Sequence, residues 1–223
     1  MPITQRATDQ PENAAPEAAT FEAKVTRSSP EEDRQVVQAV LAGDTEQFAK
    51  IVRRYEVALL RVAISRLGRR EWAEEVVQES LLAAFRSIRS YNEKYNFRTW
   101  LWTILLNQCR RRYQRAKSKP EPVPIESAGE SPERLVSSQP TPVEQAIQAE
   151  QSRHLDTLLD QLPSQQADAL RLRFFANLKY DEIAQTMGCS LSSAKNRVRT
   201  GLSKLSTKLQ SKNLQPANTE TNK

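Results

Sequence analysis

Apolar positions along this chain recur at spacings of three and four, not two, so the elements they predict are helices. Val36, Val37, Val40 and Leu41 share one helical face from about Asp33, and Ala42-Gly43-Asp44 breaks the run. Asp44, followed by Thr45-Glu46-Gln47, has the form of an N-cap. Phe48, Ile51, Val52, Tyr55, Leu59, Val62 and Ala63 then predict a second helix to about Leu67, where Gly68 supplies a left-handed stop. A third helix is predicted over 71–88, with Trp72, Val76, Leu81, Ala84, Phe85 and Ile88 available for a core. The polar loop SYNEKYN leads into a fourth, FRTWLWTILLNQCRRRYQR, whose stripe of Trp100, Leu101, Ile104 and Leu105 ends in Arg110, Arg111, Arg112 and Arg115.

Past Lys117 the pattern stops. Six prolines between Pro120 and Pro142 are too closely spaced for helix or sheet, and an extended linker of that length reaches several tens of ångströms. Helical spacing returns with Leu155, Leu158, Leu159 and Leu162, and again after Pro163-Ser164 with Ala167, Leu170, Leu172, Phe174 and Phe175. The stretch YDEIAQTMGCSLSSAKNRVRTGLSKL then predicts a short helix over 180–187, a tight turn at Gly188, a cap at Ser190 and a longer helix over 191–209. Small Ala184 permits a close crossing and Gly188 the turn, which is what a helix-turn-helix requires. The expected fold is all-α: two small helical domains, 33–117 and 148–210, joined by a Pro-rich acidic linker over 118–147. Disordered tails are expected over 1–32 and 211–223.

Charge sharpens that division. The 223 residues carry a net +6, distributed as −4 over 1–33, +10 over 34–119, −5 over 120–150 and +5 over 151–212. Two basic units separated by acidic segments suit two nucleic-acid-facing surfaces. Cys109 and Cys189 are far apart and His154 is the single histidine, so neither a disulfide framework nor a zinc quartet is available, and no cofactor or metal is expected. With no apolar run long enough to span a bilayer and no signal-peptide layout at the N-terminus, a cytoplasmic protein without membrane insertion is expected. The sequence offers no nucleophile with a base partner and no Gly-rich phosphate loop, so no catalysis is expected.

Three stretches carry the candidate chemistry. Aromatics beside cations in the fourth helix supply stacking faces and phosphate partners for a single strand. Ser192, Ser193, Lys195, Asn196, Arg197, Arg199 and Thr200, on the outward side of the last helix, are donors and cations for base edges and phosphates of a duplex. Glu74, Glu75, Gln78 and Glu79 make an acidic face on a basic unit, suited to a basic protein partner, although acidic groups early in a helix also favour its dipole.

Few proteins need a duplex reader and a single-strand groove on one chain. On AEEVVQESLLAAFRSI, FRTWLWTILLNQCRRR and the stretch from LPSQQADALRLRFF to GLSKL, the sequence resembles a bacterial RNA polymerase sigma factor of the extracytoplasmic-function group. The resemblance covers about 36–117 and 148–209. It implies a factor that binds core RNA polymerase, recognises the minus-thirty-five and minus-ten promoter elements and promotes DNA opening. Residue by residue, it implies docking on polymerase clamp helices through Glu75, where the group usually has Asp, with Gln78 and Glu79. For the melted minus-ten strand it implies Tyr91, Asn92, Asn96, Phe97, Arg98, Trp100 and Asn107, with Arg110 and Arg111 of the basic end. For the minus-thirty-five duplex it implies Ser192, Ser193, Lys195, Asn196, Arg197 and Arg199. An anti-sigma factor is a usual partner in the group. The linker is long for it.

Two other readings fit parts of the chain. A helix-turn-helix regulator acting without polymerase would bind duplex DNA alone. A recombinase with a helix-turn-helix tail would need a nucleophile within 34–119, where Ser65, Ser80, Ser87 and Ser90 have no evident base.

Overall fold

A computed structural model describes residues 30–118, 150 and 153–213. The N-terminal tail to residue 29, the linker over 119–149, residues 151–152 and the tail from 214 lie outside the described residues. Among those described, every regular element is helical.

Helix α1 spans Pro30–Leu41, three residues into the segment expected to be tail. Proline tolerates the first helical position, and Glu31, Glu32 and Asp33 place negative charge at the positive dipole end. Asp33 also has a tertiary role: it is 1% exposed, accepts from the Tyr55 hydroxyl and pairs with Arg54. Asp44 does not cap as expected, because a 3-10 turn, Thr45–Gln47, intervenes and the Asp44 carboxylate accepts from Gln47 Nε2 at 2.9 Å instead. Helix α2 runs Phe48–Leu67 and stops where expected, at Gly68 with φ 70°. Helix α3, Arg70–Arg86, passes through a 3-10 turn, Ile88–Ser90, to the loop before α4, Phe97–Ser118.

These four helices bury Ile51, Leu59, Val62, Val76, Leu101, Trp102 and Leu105 to 2% exposure or less. The core face of α4 differs from the predicted stripe: Leu101, Trp102, Leu105, Leu106 and Cys109 point inward, whereas Trp100 and Ile104 are half-buried on the opposite side. Apolar residues surround the first turns of α4, so periodicity alone did not select the face.

The C-terminal unit comprises α5 (153–160), α6 (Ser164–Phe174), α7 (Tyr180–Thr186) and α8 (Leu191–Asn213). Glu182 closes a capping box on α7, accepting the Lys179 N–H at 2.7 Å. Gly188 makes the turn at φ 58°, and Cys189 N–H returns to Ala184 O at 2.9 Å. Gly201, not singled out in the sequence, lets α8 cross α6 closely: a Cβ there would lie 2.9 Å from Leu170 Cδ1. The two units, expected as modules that a linker could hold apart, pack on each other, α4 against α7 and α2 against α6.

Two outcomes follow from these burials. Asp33→Ala strands two donors in the core and is expected to lower folding stability by about 3 kcal/mol in urea unfolding; a change under 1 kcal/mol contradicts the role given to Asp33. Burial pushes the Cys109 thiol up to about 11, so roughly one molecule in a thousand is thiolate there at pH 8. Half-buried Cys189 is therefore expected to react with a thiol-disulfide reagent in the folded chain, and Cys109 only after unfolding.

Candidate nucleic-acid interface

The candidate single-strand site lies where the loop after α3 enters α4. Asn96 caps that helix: its Oδ1 accepts the Arg98 N–H at 3.0 Å and its carbonyl the Trp100 N–H at 3.2 Å. Tyr91, Phe97 and Trp100 then form an aromatic triad with ring centroids 5.3–5.5 Å apart. Phe97 is only 2% exposed and forms the floor of the triad, so the structure removes it from the groups that face a strand. Tyr91 and Trp100 are half-buried above it, and burial raises the Tyr91 phenol, which donates to Tyr95 O. Around them lies a cavity of about 360 Å³ lined by Ser90, Tyr91, Asn92, Tyr95, Thr99, Trp100, Thr103 and Gln185, the last from α7. Tyr95, within the loop over 91–96, is 59% exposed at its rim.

Asn107 and Arg111 are exposed and continue the helical face of Trp100, seven and eleven residues on. Arg110 is exposed beside that face. It lies about 18 Å along α4 from Arg98. Arg98 is engaged elsewhere: with 16% of its side chain exposed, it donates through Nη2 to Ala176 O and, at 3.2 Å, to Asn177 O.

On α3, Glu75 and Gln78 are exposed and Glu79 is half-buried. Glu75 is held by Arg112 Nε at 3.2 Å, while the Arg112 and Arg69 guanidinium groups stack on Trp72 at 4.1 and 4.5 Å. Leu82, 47% exposed and seven residues after Glu75, shares that face. Adjacent Leu81 and Leu82 were its only signal, since a helix can turn just one of the pair inward.

On α8, Ser192, Ser193, Lys195, Asn196 and Arg199 are exposed, and Arg197 is half-buried with Nη1 4.0 Å from Met187 Sδ. Ser190 caps as expected, accepting the Ser193 N–H at 3.2 Å. Arg199 Nη2 donates to Asn196 Oδ1 at 3.2 Å, so the two side chains are presented as a pair. The structure thus leaves the residues expected to read a duplex exposed on α8, apart from half-buried Arg197. No group of three His, Cys, Asp or Glu placed to hold a metal occurs among the described residues, and none of their helices is long and apolar enough to cross a membrane.

Comparison with known proteins matches both halves of this arrangement. Sigma-70 region 2 matches residues 51–119, and sigma-70 region 4 matches residues 152–205. The chain is 34% identical over 154 residues to the ECF RNA polymerase sigma factor EcfG of Rhodopseudomonas palustris, covering 67% of this chain and 77% of that protein. It is 28% identical over 182 residues to the ECF RNA polymerase sigma-E factor of Haemophilus influenzae, covering 80% and 95%. The fold is similar to that of CnrH in complex with the cytosolic domain of CnrY (TM-score 0.62, 22% identity, covering 80% of this chain and 97% of that one). It is also similar to the sigma factor RpoE in complex with the anti-sigma factor NepR from Bartonella quintana (TM-score 0.51, 25% identity, covering 72% and 97%). With a helix-turn-helix, an aromatic loop and a helix bearing an acidic face on one chain, and a family match over each unit, the chain belongs to the extracytoplasmic-function group of sigma-70 family RNA polymerase sigma factors.

Proposed function

We propose that this chain directs transcription initiation by docking core RNA polymerase through α3, reading the minus-thirty-five duplex with α8 and holding the melted minus-ten strand at the triad before α4. The observation that carries the reading is the coexistence on one chain of an open basic recognition helix and an aromatic cavity before α4. A duplex reader alone explains the first and leaves the second without use.

Core docking falls to Glu75, Gln78, Glu79 and the apolar Leu82, an acidic face with a greasy centre on a unit of net positive charge. In the duplex, Lys195 and Arg199 meet phosphates or base edges, Asn196 is oriented by Arg199, and Ser192 and Ser193 lie at the helix start where backbone phosphates approach. For the melted strand, Tyr91 and Trp100 offer stacking faces, Asn92 hydrogen-bond capacity, and Arg98, Asn107 and Arg111 a polar, cationic track for the backbone. Unstacking a base costs a few kcal/mol, which binding to polymerase and duplex offsets. The chain moves no covalent bond. It acts in the cytoplasm, where polymerase and promoter are, and the RpoE–NepR relative supports an anti-sigma factor as a further partner.

Capture of core RNA polymerase by the purified chain tests the reading: a complex stable at physiological salt is expected, and tight duplex binding without any such complex contradicts it. Gln78→Arg and Leu82→Asp, both at exposed positions, are each expected to weaken that complex at least tenfold, or about 1.4 kcal/mol, with duplex binding unchanged. Arg199→Ala is expected to do the reverse, weakening duplex recognition by about 1–3 kcal/mol in gel-shift titrations while core binding is kept.

A further inference from the structure

Two neighbouring carboxylates on α3 are held in different ways. Glu74 pairs with Arg70 of its own helix at 2.8 Å, and both side chains reach water. A surface pair of that kind opens easily and contributes little. Glu75 pairs across to α4, with Arg112 Nε 3.2 Å from its Oε2. The Arg112 side chain is only 12% exposed, and its guanidinium lies 4.1 Å from the centroid of the Trp72 ring. The Arg69 guanidinium approaches the same ring at 4.5 Å and reaches Glu71 at 3.8 Å.

A guanidinium stacked on an indole and largely out of water is fixed in a plane, so the N–H it offers has a fixed direction. Glu75 takes that N–H while half of its side chain stays exposed. A carboxylate has about four lone-pair sites and Arg112 Nε occupies one, so the group still accepts from a partner outside the chain. Reach decides whether the pairing survives a change of residue. Aspartate is shorter than glutamate by one carbon, about 1.5 Å, which would leave Arg112 Nε beyond hydrogen-bond range. Gln78 and Leu82, three and seven residues after Glu75, are exposed on the same helical face.

We propose that Arg112 is a positioning residue for docking on core RNA polymerase: held on Trp72, it fixes the Glu75 carboxylate at the surface in the geometry that receives a basic side chain of the enzyme. The inference rests on the sigma-factor reading above, and it adds a residue of α4 to a docking face otherwise built on α3. Arg112 acts through order and not through its charge, which has the same sign as the partner's. A glutamate side chain that rotates freely loses that freedom when a partner takes it, whereas a side chain already pinned has met the loss in folding.

The test measures the affinity of the full chain for purified core RNA polymerase by fluorescence anisotropy across a salt series, with urea unfolding of each variant alongside. Glu75→Asp keeps the charge at an exposed position and is expected to weaken the complex about fivefold, with the slope of log affinity against log salt unchanged. Arg112→Met keeps a long, polarisable side chain against Trp72 but has no N–H, and is expected to weaken the complex by a similar factor. Arg112→Lys, which keeps the charge and loses the planar stack, is expected to show the same loss at about threefold. Glu75→Asp combined with either Arg112 variant is expected to bind no more weakly than Glu75→Asp alone, because both changes remove one pairing; independent effects would multiply, to about twenty-fivefold with Arg112→Met. A variant that only loosened the packing of α3 on α4 would leave the Glu75→Asp loss intact in its background. Unchanged affinity in Glu75→Asp, Arg112 variants that bind as tightly as the unsubstituted chain or more tightly, or losses that multiply overturn the positioning role and leave the sigma reading standing. Absence of any polymerase complex with the unsubstituted chain overturns the sigma reading, and the inference falls with it.

Discussion

Helix α4 has to bury one side and work with the other, and the rest of the molecule is arranged to let it. Leu101, Trp102, Leu105, Leu106 and Cys109 close the core against α2 and α3, while Trp100, Thr103, Asn107 and Arg111 fall on the opposite face because the helical repeat puts them there. The Asn96 cap fixes where that division begins, and the buried Phe97 ring fixes how Tyr91 and Trp100 lean over the cavity. Remote elements serve the same end. Asp33 ties α1 to α2 through Tyr55 and Arg54, and Arg112 ties the far end of α4 to α3 through Glu75 and Trp72.

The same helix is also where the units touch. Arg98, at the start of α4, donates to the Ala176 and Asn177 carbonyls of the C-terminal unit. The contact is polar: carbonyls and carboxylates bind Arg98, Arg66 and Arg171 specifically, yet the net gain over water is small.

Much of this was legible in the sequence because helical period, glycine turns and capping residues act locally. Gly68, Gly188 and Ser190 each do what their neighbourhood predicts, and the recognition helix faces outward as its polar residues require. Other features depend on contacts that no window contains. Phe97 reads as a stacking ring beside Arg98 but is buried under Tyr91 and Trp100, and of Trp100 and Trp102, which the sequence leaves open for the core, Trp102 takes it. Asp33 looks like a dipole charge until Tyr55 and Arg54, over twenty residues away, enclose it. The packing of the two units was not legible at all, since it pairs side chains such as Arg98 and Glu182 across more than eighty residues.

The central claim is that this chain gives core RNA polymerase the ability to choose and open promoters. Transcription in vitro with purified core enzyme and chain on total genomic DNA, with transcript 5′ ends sequenced, tests it most directly. Discrete start sites that appear only with the chain present, each preceded by two shared upstream elements, are the predicted result. Start sites indistinguishable from those of core enzyme alone, while the free chain binds duplex DNA tightly, would contradict it.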